Sequence, residues 1–163
     1  MKCEVKNNRF IHPEPWLIVS SRDKSGRDNA LTIGLAANVS LEPEIIMIAI
    51  KKERFSHQII EQQKEFIVNI AQNDQKELID YFGTYSGRVI EKLSCYNTID
   101  GDIVNAPIIL DCPVNYECKV VKTMTMGSHD LFFGEVVKAH CNSEYLNEEG
   151  NIDWKKVSPI HSQ

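Results

Sequence analysis

A closed antiparallel β-barrel with helical insertions is the fold that this sequence predicts. Three observations point to it. Six or so β-type segments are separated by turn chemistry. Only two short stretches read as helix, and they do not alternate regularly with the strands, which argues against a doubly wound parallel sheet. The chain is 163 residues long, 42% apolar and 25% charged, as expected of a globular domain. That length suits a single domain over residues 1–163.

The elements follow in order. Trp16-Leu17-Ile18-Val19-Ser20-Ser21 is apolar and β-branched, a strand. Turn residues fill Asp23 to Asn29, and Ala30 to Ser40 resumes as a second strand, so the two form a hairpin. Gly34, Ala36 and Ala37 leave the backbone of that strand uncovered, either for a flat ligand or for tight sheet packing. Leu41 to Glu44 is a turn, and Ile45 to Ile50 is a continuous apolar run suited to a central strand. A helix is expected from about His57 to Lys64 with Ser56 as N-cap, followed by a strand at Phe66–Ile70. A second helix is expected from about Asp74 to Phe82, with Asp74 and Glu77 as a capping box and Gly83 as C-cap. Thr84 to Pro107 is a long excursion with a helical turn near Val89–Leu93. Val114, Tyr116, Cys118 and Val120 alternate onto one face of a strand. Asp130 to His140 is a long strand, and Asn147 to Asn151 is a final turn.

Several functional classes are disfavoured. There are 18 Lys and Arg against 23 Asp and Glu, a net charge of −5, so no basic excess favours nucleic acid. The longest apolar run, Ile45 to Ile50, is six residues, far short of a membrane span. The first nine residues have no signal-peptide core, so a cytoplasmic location is expected. The five cysteines form no C-x-x-C, which favours free thiols over a disulfide set or a metal site.

Three constellations could carry chemistry. Lys51, Lys52 and Arg54 with Ser56 precede a helix start, where free N–H groups and the positive helix end favour an anion. The alternative is a solvated strand end. Thr32, Asn38 and Ser40 have equal parity and, on one continuous strand, would share a face toward the polar edge of a flat heterocycle. The alternative is a polar exterior face. His129, in Gly127-Ser128-His129-Asp130, sits at a loop-to-strand junction where an imidazole can act as acid, base or cation. A structural or exposed histidine is the alternative. No G-x-S-x-G, Walker A, H-E-x-x-H or G-x-G-x-x-G occurs.

The order of these segments resembles the flavin reductase-like family, whose fold is the FMN-binding split barrel, a mainly β Greek-key barrel. Its branch of flavoredoxins and archaeal ferric reductases is the most similar. The resemblance runs from Pro15 to about Pro159. It is carried by Pro15–Ser20, Asn29–Gly34, Val39–Pro43, Arg54–Ile60, Glu65–Asn69, Ser86-Gly87-Arg88 with Glu91-Lys92-Leu93, Cys112–Cys118, Gly127–Asp130 and Phe133–Val137. It implies a homodimer with an FMN in each subunit near the interface. Arg54 and Ser56 would meet the phosphate, and Asn29 and Phe55 would also contact the cofactor. Thr32, Ala37, Asn38 and Ser40 would line the isoalloxazine, partly through backbone atoms. Ser86, Arg88 and Lys92 match a further motif near the flavin, and His129 matches a position on the nicotinamide side. The implied activity passes hydride from NADH or NADPH to FMN and on to an acceptor. The alternative is an FMN electron carrier reduced by a partner protein. The resemblance implies no metal.

Overall fold

The computed structural model describes residues 1–6 and 10–162. Its strands are β1 (Leu17–Arg22), β2 (Asp28–Ile33), β3 (Ala36–Leu41), β4 (Glu44–Ile50), β5 (Glu65–Ile70), β6 (Thr98–Asp100), β7 (Pro107–Ile109), β8 (Val114–Met126) and β9 (His129–Cys141). The α-helices are α1 (Phe55–Gln63), α2 (Lys76–Thr84) and α3 (Trp154–Val157). Seven strands form one sheet in the order β2-β1-β5-β8-β9-β4-β3, antiparallel throughout, and β6 pairs with β7 separately.

The expected hairpin is present, with Leu17 opposite Ile33 and Arg22 opposite Asp28. The segment from Ala30 to Ser40 is not one strand, however. β2 ends at Ile33, β3 begins at Ala36, and the two occupy opposite ends of the sheet order. Three Cα steps of about 3.8 Å join Ile33 to Ala36, so the sheet edges lie within roughly 11 Å of each other there. The sheet is therefore rolled into a barrel with a seam at Gly34–Leu35. The Ala49 amide donates to the Leu35 carbonyl at 2.9 Å and ties the seam to β4.

Strand alternation distributes the apolar residues among three clusters. Leu17 and Val19, Ile46, Ile48 and Ile50, Phe66 and Val68, and Val114 and Cys118 fill the barrel interior. Ile18 and Ala30 point outward, against Leu78, Ile79 and Phe82 of α2. Ile67 packs outward against Val104 and Ala106 of the excursion and Ile108 of β7. Strands covered on both faces read as continuous apolar runs for this reason. Gly134 of β9 makes room for Phe66, because a Cβ there would sit 2.5 Å from Phe66 Cζ.

Two buried polar residues fasten the excursion to the barrel. The Asn69 amide donates to Ser20 Oγ at 2.9 Å, and its oxygen accepts from the Ile109 amide at 3.1 Å and Asn115 Nδ2 at 2.8 Å. Glu117, fully buried, accepts from the backbone amides of Asp102, Ile103 and Val104 at 2.7–2.9 Å and from His140 Nε2 at 2.6 Å. Asp102, Glu117 and His140 bring ligand-type atoms within 4.8 Å of one another, but backbone amides and the imidazole already engage the buried carboxylate.

The helix boundaries also differ from expectation. α1 begins at Phe55 with Arg54 as N-cap, so Ser56 lies inside the first turn. α2 begins at Lys76 with Gln75 as N-cap, and no Asp74–Glu77 capping box forms. Gly83 lies within α2, which ends at Thr84, and it packs on Thr32 of β2. The excursion holds a 3-10 turn at Lys92–Cys95 rather than at Val89–Leu93. Among the described residues, no helix is long and apolar enough to cross a membrane.

Candidate functional site

The start of α1, the face of β2 and the loop after α2 enclose a cavity of about 310 Å³. Arg54 caps α1 in an extended conformation, and no side chain bonds to the helix end. The His57 amide bonds to the Arg54 carbonyl at 3.1 Å, which leaves the amides of Phe55 and Ser56 at the positive end of the helix dipole. Ser56, in that first turn, is buried and accepts a hydrogen bond from Asn29 Nδ2 at 2.6 Å. Ser56 keeps its own hydroxyl proton free to donate. Asn29 is 2% exposed, and its Oδ1 has no hydrogen-bond partner. A buried acceptor left this way costs about 1–3 kcal/mol unless a ligand supplies the donor. A Cβ on Gly87 would collide with this same Oδ1, and it would reach Phe55 Cδ1 at 3.0 Å.

Positive charge gathers around the cavity without paired acids. The guanidinium carbons of Arg27 and Arg88 lie 5.4 and 5.3 Å from the Phe55 ring centroid. Arg27 donates to the Gly87 carbonyl at 2.5 Å, and Arg88 donates to the Glu53 carbonyl at 3.4 Å. Lys92, 3% exposed, donates to the Phe82 carbonyl at 3.1 Å. Its burial, and then the charge of Arg54, lower its pKa to about 8. Among the described residues, no ion pair includes Arg27, Arg54, Arg88 or Lys92. Unpaired cations and a helix end suit a phosphate ester, and the orphaned acceptor suits a hydroxyl beside it.

A second cavity, of about 400 Å³, is lined by residues of β3 and β4 together with Leu17, Val68, Tyr116 and Val136. Residues 15–17, 154 and 159–160 form part of its wall. The chain thus presents two separate cavities, a polar cationic one and a largely apolar one.

Residues 9–156 match the family model described as flavin reductase like domain. The chain belongs to this family. An uncharacterised Archaeoglobus fulgidus protein is 30% identical over 162 residues, covering 96% of this chain and 89% of its own. The NADH:riboflavin 5'-phosphate oxidoreductase of Streptomyces pristinaespiralis is 26% identical, covering 76% of this chain and 69% of its own. The solved flavoredoxin from Methanosarcina acetivorans superposes with a TM-score of 0.92 at 28% identity, covering 100% of this chain and 87% of that one. The barrel is accordingly the split barrel of flavin reductase-like proteins.

Within this flavin reductase-like chain, the residues singled out from sequence divide into groups. Asn29, Thr32, Arg54, Phe55, Ser56, Ser86 and Lys92 all line the cationic cavity, and Arg88 sits over Phe55 beside it. Ala37, Asn38 and Ser40 line the barrel cavity instead. Thr32 does not share a face with Asn38 and Ser40, because the seam separates their strands; its hydroxyl donates to the Ile79 carbonyl at 2.6 Å. A bulge between Asn38 and Ser40 also interrupts the parity of β3. His129 lines neither cavity. It opens β9, half-buried, with Nδ1 2.7 Å from Ser128 Oγ.

Sequence reasoning missed Arg27, Gly87, and the pair His57–Asp130. Gly87 stands in the Ser86-Gly87-Arg88 motif, and its contact with Asn29 spans a distance in sequence that no local pattern reports. His57 Nε2 meets Asp130 Oδ2 at 2.8 Å, joining the residue after Ser56 to the residue after His129.

Proposed function

We propose that this chain binds FMN and serves as an NAD(P)H-dependent oxidoreductase, passing electrons through the flavin to a small acceptor. The observation that carries this reading is the cationic cavity, where a buried unpartnered Asn29 Oδ1 faces the same space as Arg54, Ser56 and Lys92. Arg54, the free α1 amides and the Ser56 hydroxyl hold the phosphate, and Lys92 adds charge from the far wall. Asn29 Oδ1 accepts from a hydroxyl next to that phosphate. Beside the seam, Ala37, Asn38 and Ser40 offer the outer edge of β3, which has no ladder partner, to the polar rim of the ring. FMN, when bound, supplies the hydride-accepting ring. His129 orients the nicotinamide. The name of the Streptomyces relative, an NADH:riboflavin 5'-phosphate oxidoreductase, supports this class of reaction.

The protein acts as a single domain, in a homodimer, in the cytoplasm. The exposed apolar side chains Val121 and Met126 on the β8–β9 hairpin support a subunit contact. The five free cysteines support a reducing compartment. A second reading, an FMN electron carrier reduced by a partner protein, draws support from the likeness to flavoredoxin.

One experiment separates the two readings. Protein purified with FMN is mixed anaerobically with NADH or NADPH, and flavin absorbance is followed. Rapid bleaching is expected for the oxidoreductase. Bleaching only after a redox protein is added makes the chain a carrier. Colourless protein after FMN addition removes both.

A further inference from the structure

Asp130 meets the segment that carries Arg54 and Ser56 at both of its ends. The segment runs from Lys52, in the connection after β4, to His57 in the first turn of α1. Two successive turns shape it. The Arg54 amide donates to the Lys51 carbonyl at 3.0 Å, and the His57 amide donates to the Arg54 carbonyl at 3.1 Å. Arg54 and Ser56 line the cationic cavity, whereas Lys52 and His57 do not. Those two reach Asp130 of β9 instead. His57 Nε2 donates to Asp130 Oδ2 at 2.8 Å, and Lys52 Nζ lies 3.6 Å from Oδ1.

The two ends are held differently. His57 and Asp130 are both buried, so their contact is rigid. The Lys52 side chain is largely exposed, and its pairing is correspondingly soft. Asp130 Oδ1 is buried with no hydrogen-bond partner, so the Lys52 charge is what that oxygen faces. Despite burial, hydrogen bonding to His57 and the Lys52 charge keep the carboxyl below its usual range, hence ionised. A buried ion pair does little for net stability, but it fixes where its partners stand. By charge alone a carboxylate opposes a nearby anion. Charge and position therefore predict opposite changes in anion affinity when Asp130 is neutralised.

We infer that Asp130 is a positioning residue for the flavin phosphate, acting through His57 and Lys52 to aim Arg54 and Ser56 at it. Asp130 itself does not line the cavity. The ligand, though not the geometry, rests on the flavin reading. Because Asp130 follows His129 in β9, the same contact joins the phosphate end of the site to the hairpin on which His129 stands.

The test compares the full chain with Asp130→Asn, His57→Leu and His57→Gln. Asparagine keeps an acceptor for His57 but removes the charge facing Lys52, and glutamine keeps an N–H donor at position 57. FMN and riboflavin affinities are read by fluorescence quenching, and amide hydrogen exchange is read without ligand. Asp130→Asn should weaken FMN about 3–10-fold, the scale for a residue that does not touch the ligand. Riboflavin, which lacks the phosphate, should bind as it does to the parent. His57→Leu should weaken FMN similarly, and His57→Gln should recover most of the loss. Exchange at residues 54–57 should quicken in Asp130→Asn while β1 and β5 stay parental. Unchanged or tighter FMN binding by Asp130→Asn overturns the proposal, because charge alone would then govern. An equal loss of riboflavin overturns it too, marking a general loosening of the fold. Should His57→Leu fail to fold, Asp130→Asn decides. If the parent takes up no FMN, the flavin reading falls, and amide exchange still judges Asp130: parental exchange at residues 54–57 overturns its positioning role.

Discussion

His57 Nε2 donates to Asp130 Oδ2 at 2.8 Å, and this buried pair fastens the first turn of α1 to the start of β9. The His57 ring also meets Phe132 edge-on, with centroids 5.3 Å apart. Ser56 of the cationic cavity and His129 of the β8–β9 hairpin are the chain neighbours of the two paired residues. Burial raises the Asp130 pKa, but hydrogen bonds from His57 and Thr125 and the charge of Lys52 outweigh it, leaving the carboxyl below its usual range. Asp130→Ala is therefore expected to destabilise the fold by about 1–3 kcal/mol, the penalty of an unsatisfied buried group. Urea denaturation measures this. A smaller loss in the double variant His57→Leu/Asp130→Leu would show that the pair, rather than either residue, carries the effect.

Arg54→Ala should weaken FMN binding by about 1.5–3 kcal/mol, the range for a charged hydrogen bond. Titration of the apoprotein by flavin fluorescence quenching reads the change. An unaltered affinity would take Arg54 out of the phosphate contact.

Lys92 sets a pH limit on the same equilibrium. Its folded pKa of about 8 lies below the ordinary 10.5. The unfolded chain therefore binds more protons than the folded one between these values, and this group makes stability rise with pH across that window. Anion affinity moves in the opposite direction, because the ammonium loses its charge as pH rises through about 8. FMN affinity should fall across pH 8 in the parent protein. In Lys92→Met it should be lower at pH 7 and lack that step.

Glu117 has the opposite linkage. Burial raises its pKa, but His140 and three backbone amides overcome this and hold it at about 2, against an ordinary 4.5. A depressed carboxyl contributes stability above its unfolded pKa and loses it as pH falls toward the folded value. The parent should lose stability between about pH 4.5 and 2. Glu117→Gln should be less stable at neutral pH and show a shallower acid slope in thermal melts. An unchanged slope would mean that the carboxylate does not anchor residues 102–104.

Gly134→Ala should cost about 1–3 kcal/mol by overpacking, since the added methyl meets the Phe66 ring and Cys118 Cβ. Chemical denaturation reads it directly, and parental stability in the variant would deny the contact a role.

The sequence was most informative where structure is local. The β1–β2 hairpin and the alternation of Val114, Tyr116, Cys118 and Val120 both follow from period-two patterning, and both appear in the barrel. Arg54 and Ser56 line one cavity because residues flanking a helix start are placed by that helix, whereas Lys92 reaches the same cavity from the 3-10 turn at Lys92–Cys95 through a tertiary contact that local pattern does not report. The helix starts two residues earlier than a Ser56 cap implies, with Arg54 as N-cap, a difference that residue type alone does not fix. The break at Gly34–Leu35 was illegible because barrel closure is a long-range event. Asn69 and Asn115 are 46 residues apart, and His57 and Asp130 are 73 apart. A polar residue in a strand reads as solvent-facing until its distant partner is known.

The seam at Gly34–Leu35 has a kinetic consequence. β2 and β3 each end the sheet order, so every ladder from β2 round to β3 is complete without a bond across the seam. A ligand seated along that line enters and leaves between two finished edges, and no strand must unzip to release it. Its exchange is then governed by side-chain and loop motions on the nanosecond-to-microsecond scale and by its own affinity, rather than by the opening of the barrel. No ladder hydrogen bond has to break for a molecule to leave that line.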